Sequence, residues 1–374
     1  MKNNVRKVLF VAGLLSPLLS SAAVSVSPLS TFGGGDGWLS PGEGGYQYLG
    51  TGSLERGMAF GNNHVYLASR ANIAGNSVNI RILDPGTGAD LGGLSTGSGV
   101  VSGGTFAINM VSVAGDGAIY VGNLTTAASA GTPYKIYRWG SEVDAAPTVA
   151  FTGIPLAGAR MGDDLDVTGS GAATRATTGF GNNPSIAGNN GYTIVDTTGG
   201  TSSAVAFAGT PPNAGDFRLG ITFIDADTIL GTQGGTGIPA RLTDFAGTAG
   251  TLLGSPLLTA ASERPMDYAV IGGLPLLATI DTAASTVRVY DMTDPLAPAL
   301  LATANNTSGT LTANANGAGA VAWGTVSGDT ATLFAMSSNQ GIQAFNVVVP
   351  EPSTAVLFAL GGGLLLWGFI RRRI

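Results

Sequence analysis

The 374-residue chain contains no cysteine and one histidine, His64. The first absence excludes disulfides, thiol chemistry and thiolate metal sites. The second leaves nothing to complete a multi-histidine metal centre, and it disfavours a Ser-His-Asp triad or a His-based acid/base pair; as a lone residue in a turn before Val65, His64 reads as surface. Charge is sparse too, at 11% of residues. Setting aside Lys2, Arg6, Lys7, Arg371, Arg372, Arg373 and Glu351 at the two ends leaves 22 acidic against 11 basic residues, a net charge of −11, with Lys135 the only lysine. Nucleic acid and anionic membrane surfaces are poor partners for such a body. A hydrophobic content of 44% nevertheless excludes a disordered glycine-rich linker.

What the body lacks in charge, the ends supply in pattern. Lys2, Arg6 and Lys7 precede the apolar run Val8 to Leu19, and Ser21-Ala22-Ala23 offers small residues to signal peptidase, so residues 1–23 are expected to be a secretory signal peptide handled by the Sec machinery. At the other end, Val349-Pro350-Glu351-Pro352-Ser353 leads into an uncharged stretch, 353–370, closed by Arg371-Arg372-Arg373. At about 1.5 Å per residue that stretch is a minimal membrane-spanning helix. The arginines set its C-terminus in the cytoplasm. The two prolines keep Glu351 extended outside the bilayer, where a processing enzyme can reach it. The plain alternative is a permanent tail anchor.

This tripartite tail, residues 349–374, resembles the PEP-CTERM sorting signal of Gram-negative bacteria. The resemblance implies that Pro350, Glu351, Pro352 and Arg371, Arg372, Arg373 serve sorting and processing. The expected partner is an exosortase with a cysteine nucleophile that cleaves near the motif and releases or re-anchors the body. Membrane contact before processing, and a final place at the cell surface or outside it, follow from the same resemblance.

Residues 24–348 form one body. Fifty-nine glycines, with abundant Thr, Ala, Ser and Asn, predict many short strands joined by tight turns. A unit recurs: an apolar strand, a Gly/Asn/Asp turn, a strand of aromatic and β-branched residues, a loop, and a third strand ending at a polar turn. Met110 to Val113, Gly115-Asp116-Gly117, Ala118 to Val121 and Tyr134 to Trp139 make one copy. The third strands end near Asp84, Gly140, Asp196, Asp244, Asp291 and Asn346. Six units of roughly 50 residues predict an all-β, six-bladed β-propeller. The sixth has room for three strands, so the N-terminal strand Tyr46 to Leu49 is expected to complete the last blade. A seven-bladed ring is the alternative if Val24 to Leu39 adds pairing; a β-sandwich or β-helix is the wider one.

Arginines recur just before or at the first strand of four units: Arg56, Arg160, Arg218 and Arg264. In a propeller this position lies at one mouth of the channel, where guanidinium groups suit a carboxylate- or sulfate-bearing glycan. The plainer reading pairs each Arg with a neighbouring acid such as Glu55 or Glu263. Asp163, Asp164 and Asp166 place three carboxylates in five residues, a calcium candidate by donor type, though a solvated acidic turn explains them as well. No catalytic residue, cofactor or firm metal site emerges. The expected function is that of a non-enzymatic surface or matrix protein binding exopolysaccharide or an envelope partner, as the sorting resemblance implies. The alternative is an extracellular carbohydrate-active hydrolase or lyase using carboxylates at the channel mouth. Ice binding ranks last, because no regular Thr-x-Thr ladder is present.

Overall fold

A computed structural model describes residues 23–350. Residues 1–22, Glu351, Pro352, the apolar stretch 353–370 and Arg371–Arg373 lie outside the described residues. Among those described, no helix is long and apolar enough to cross a membrane. The body, Val24–Val349, is all-β apart from three single-turn 3-10 segments.

Two short strands come first, β1 (Ser25–Pro28) and β2 (Trp38–Leu39). Antiparallel four-stranded meanders follow. The first is β3 (Glu55–Gly61), β4 (His64–Ser69), β5 (Asn79–Leu83) and β6 (Asp90–Gly93); the second is β7 (Phe106–Val113), β8 (Ile119–Leu124), β9 (Tyr134–Trp139) and β10 (Thr148–Gly153). The third is β11 (Asp166–Thr168), β12 (Arg175–Gly179), β13 (Tyr192–Asp196) and β14 (Thr201–Phe207); the fourth is β15 (Gly220–Phe223), β16 (Thr228–Thr232), β17 (Arg241–Ala246) and β18 (Ala249–Gly254). Their outer strands join through a short parallel pairing of β14 with β18. The fifth is β19 (Glu263–Ile271), β20 (Leu274–Asp281), β21 (Thr286–Asp291) and β22 (Ala299–Ala304). The chain then ends with β23 (Gly319–Ser327), β24 (Thr330–Ser337) and β25 (Ile342–Val348). The third strands end within two residues of the positions expected from the repeat.

The final sheet takes its fourth strand from the other end of the chain. β1 lies antiparallel to β25, Ser25 opposite Val348 and Pro28 opposite Phe345, and β2 adds Trp38 opposite Gln343. This corrects the expectation that Tyr46 to Leu49 would supply that strand. Gly42, Gly44 and Gly45 hold positive φ just before it, and the segment folds as turns. Tyr48 and Leu49 are buried, and the Tyr46 and Tyr48 rings stack at 5.1 Å.

The first strands of successive meanders contact one another in order, and β23 contacts β3. The sheets are thus arranged propeller-like around a nearly closed centre. The hydrophobic residues follow the same plan. Tyr66 and Ile80 pack with Val121 and Trp139 between the first two meanders, Leu277 and Tyr290 with Leu230 and Leu242 between the fourth and fifth, and Phe334 and Ile342 with Val65 and Leu67 between last and first. Each core cluster is therefore a sheet-to-sheet contact. Close approach needs glycine at these seams: a Cβ on Gly220 would run into the Arg264 carbonyl.

Trp38 anchors the closure, being 9% exposed with its indole N–H donating to the Gln340 carbonyl at 2.8 Å. Trp38→Ala is expected to cost about 3 kcal/mol in denaturant unfolding, and an unchanged midpoint would contradict the role given to this segment.

Candidate functional site

Because neighbouring strands run antiparallel, each meander puts its first-to-second and third-to-fourth turns at one end and its remaining connections at the other. Arg56 and Arg264 are the second residues of β3 and β19, and Arg160 and Arg218 lie in the connections leading to β11 and β15. All four therefore sit at the end where first strands begin. The structure gathers three of them on one carboxylate, Asp163. Arg160 donates to it through both Nε and Nη2, the latter at 2.6 Å from Oδ1. Arg218 Nε donates to Oδ2 at 2.7 Å, and Arg56 Nη1 lies 3.8 Å from Oδ1. Gly162, at φ 89°, makes the bend that sets Asp163 there, where a Cβ would collide with the Asn123 carbonyl.

Asp163 is only 5% exposed. Burial pushes its carboxyl up, but Arg160 and Arg218 outweigh that and hold it below the usual range. Arg56 is buried as well, which lowers its guanidinium from the usual value despite Asp163. Burial and the charge of Arg218 lower Arg264 likewise. Among the described residues no carboxylate lies within ion-pairing distance of Arg264, and the buried Nε atoms of Arg56 and Arg264 have no hydrogen-bond partner. Arg70 adds a fifth cation, its guanidinium 3.6 Å above the Phe106 ring and pushed down to about 10 by burial first and by Arg56 second. The end of the channel thus carries arginines in excess over the one carboxylate they share.

The adjacent acids are not their partners. Glu55 accepts the Asn339 N–H at 2.9 Å. Glu263 accepts the Thr279 and Tyr290 hydroxyls, both at 2.6 Å, and lies 3.7 Å from Arg288. Both strands shift register just after these glutamates, between Glu55 and Gly57 and between Glu263 and Met266, and each glutamate is held by its own hydrogen bonds away from the arginine beside it.

The acidic run after Gly162 is likewise no solvated turn, since Asp163 and Asp164 are buried. The three carboxylates diverge in what they bind. Asp164 accepts the N–H of Leu165 and, across the seam, that of Ile221, both at 2.8 Å; Asp166 accepts those of Val167 and Phe223 at 2.7 and 2.8 Å. Asp267, on β19, does the same two seams further on, accepting the Trp323 N–H at 2.7 Å. Each is a clasp from one first strand to the next. Asp164, Asp166 and Asp267 also line a central cavity of about 160 Å³ to which residues from every meander contribute. Burial, reinforced by their mutual charge, pushes Asp164 and Asp267 up to about 7 and raises Asp166. With Asp163 given to arginines and the others to backbone donors, no group of three or more acidic or histidine side chains among the described residues is arranged to hold a metal ion. His64 lies at the opposite end of the meanders, its Nδ1 2.7 Å from Glu142, which also accepts from Tyr66.

The fold and the tail together define a class: an exported, propeller-like β-protein carrying a C-terminal sorting signal. The tail matches the PEP-CTERM protein-sorting motif over residues 348–373, which implies export and processing by an exosortase. The body matches DUF4623, a domain of unknown function, over residues 45–293, and the chain belongs to that family. No curated protein matches it. Among solved structures, a DUF4623 family protein from Bacteroides eggerthii is similar with a TM-score of 0.60 at 18% identity, over 80% of this chain and 72% of that one. A Hadza microbial sialidase gives a TM-score of 0.49 at 11% identity, covering 78% and 65%. A putative oxidoreductase (glucose dehydrogenase) from Thermus thermophilus gives 0.45 at 10%, covering 87% and 100%. At these identities the first likeness concerns the fold alone.

Two outcomes follow. Asp163→Asn leaves the arginines uncompensated and is expected to cost about 3 kcal/mol in chemical unfolding; an unchanged stability would contradict the shared-carboxylate arrangement. Asp164 and Asp267 ionise at 3.8 in their unperturbed state and at about 7 here. The stability that their neutral forms confer is complete below the lower value and lost as the pH rises through the upper one. The opposite contribution of Asp163 is lost only below 3.8. The protein should therefore melt at a higher temperature at pH 5 than at pH 8, and Asp267→Asn should flatten that difference; a higher melting temperature at pH 8 would contradict it.

Proposed function

We propose that this is a non-enzymatic cell-surface or matrix protein whose six-bladed propeller body binds an anionic extracellular glycan, one bearing carboxylate or sulfate groups. The observation that carries this reading is the convergence of Arg56, Arg160 and Arg218 on a single carboxylate, with Arg264 at the same mouth left without one. A planar guanidinium with free donors binds a carboxylate or sulfate bidentately. Arg160 and Arg218 keep 27% and 18% of their side chains exposed, so a ligand can reach them. Six blades account for six first strands, six seams and a last sheet completed by β1. Sorting by an exosortase delivers such a body to where exopolysaccharide is met.

A hydrolase or lyase is the second reading, favoured by the carboxyls of Asp164, Asp166 and Asp267 around one cavity. Their engagement by strand N–H groups weighs against it, because a clasping carboxylate is not free to attack or to take a proton from substrate.

The test is retention of the purified exported protein on carboxylated, sulfated and neutral polysaccharides, with new reducing ends assayed in parallel. Retention on acidic glycans alone is expected, without cleavage, weakened about tenfold or more by Arg264→Ala as the loss of a charged hydrogen-bonded contact. Retention insensitive to Arg264 and Arg218, or release of reducing ends, would overturn the reading.

A further inference from the structure

We propose that the arginine mouth has a second, apolar compartment beside Arg264, and that it takes an acyl group carried by the anionic ligand, so that the preferred glycan is an O-acylated acidic one. The inference rests on the glycan reading above and narrows it.

The connections from β16 to β17 and from β18 to β19 form the compartment. They are tied to each other twice, by the Gly235 N–H to the Ala261 carbonyl at 2.5 Å and by the Ala240 N–H to the Pro256 carbonyl at 2.9 Å. The cavity left between them measures about 280 Å³. Pockets for drug-sized molecules start at about 300 Å³, so this one suits a single sugar or a substituent of one. Both connections lie at the end where first strands begin, which is the end that carries the arginines.

Arg264 stands at its edge. Gly234 lines the cavity and lies against the Arg264 side chain, where a Cβ would come 3.0 Å from Nε. From the β22–β23 connection Gly317 comes closer still, and a Cβ on it would overlap Nη1. The guanidinium is thus hemmed in by two glycine backbones, with its buried Nε unpartnered. Arg218 is near enough that its charge, after burial, lowers Arg264. An anion bound by these two arginines has the cavity next to it.

The walls decide what enters. Ile238 and Leu257, 43% and 64% exposed, line the cavity together with Ala240 and Leu258. Several wall groups that could hold a hydroxyl are engaged. The N–H groups of Gly234, Ile238, Thr259 and Ala260 donate to Thr232 Oγ1, the Gly235 carbonyl, the Tyr290 hydroxyl and Glu263 Oε2. A hydroxyl-bearing ring face therefore gains few partners for the water it gives up. A methyl-ended acyl group needs none, and burying one methyl-sized group is worth about fourfold in affinity.

The test compares polygalacturonate before and after chemical O-acetylation, which leaves its carboxylates untouched, in titrations against the purified exported protein. The acetylated polymer is expected to bind about fourfold or more tightly. Ile238→Ser combined with Leu257→Ser should erase that preference and leave the affinity for the plain polymer unchanged; both side chains are exposed, so the fold tolerates their loss. Arg264→Ala should weaken both polymers. Equal binding of the two polymers, or a preference that the double variant keeps, would overturn the proposal and leave the glycan reading standing. Binding of neither would remove both. Tighter binding of an acidic, leucine-bearing peptide than of either polymer would assign the cavity to a protein partner and overturn the proposal as well.

Discussion

The pairing of β1 with β25 is the constraint on which the body depends. A ring of sheets held only by side-chain packing needs a lock, and this chain has no cysteine to provide one. The lock is made by completing one sheet from both ends of the chain, so that opening the ring means stripping a strand from its ladder. Trp38 and Phe32 bury beside this joint and extend it into the seam between last and first meanders. Everything at the centre then follows from the seams being held at a fixed distance.

Those seams are lined with carboxylates because strand N–H groups facing the channel have no ladder partner and need acceptors. Asp164, Asp166 and Asp267 supply them, at the expense of bringing charge into a small cavity, and their raised ionisation is the mark of that compromise. Asp163 resolves the same problem differently, by surrounding one carboxylate with arginines. The excess of cations left over is what turns a structural device into a candidate binding mouth.

The repeat was legible because it is local: Gly/Asn/Asp turns, such as Asp116-Gly117 and Gly272-Gly273, mark hairpins within a few residues, and four arginines stand visibly before or at first strands. The sharing of Asp163 was not, since Arg218 lies 55 residues away along the chain and nothing in the intervening sequence announces the contact. Arg160-x-x-Asp163 and Arg264-x-x-Asp267 share a spacing, yet the fold takes Asp163 to the arginines at the mouth and Asp267 to the backbone of the neighbouring first strand. Tyr46 to Leu49 has the composition of a strand, but the glycines before it and the burial of Tyr48 make it a packed turn, while Ser25–Pro28, with little apolar signal, gains its pairing from the open edge of β25. The sorting tail was readable for the opposite reason, as its three parts need no tertiary context.

The most direct measurement of the central claim is a crystal structure of the protein soaked with a hexuronic-acid oligosaccharide. The account predicts a sugar carboxylate within about 3 Å of the Arg218 and Arg264 guanidinium groups, with the seams around Asp164 and Asp267 unchanged. A sugar ring seated instead against Asp164 and Asp267, with their bonds to Ile221 and Trp323 broken, would contradict it.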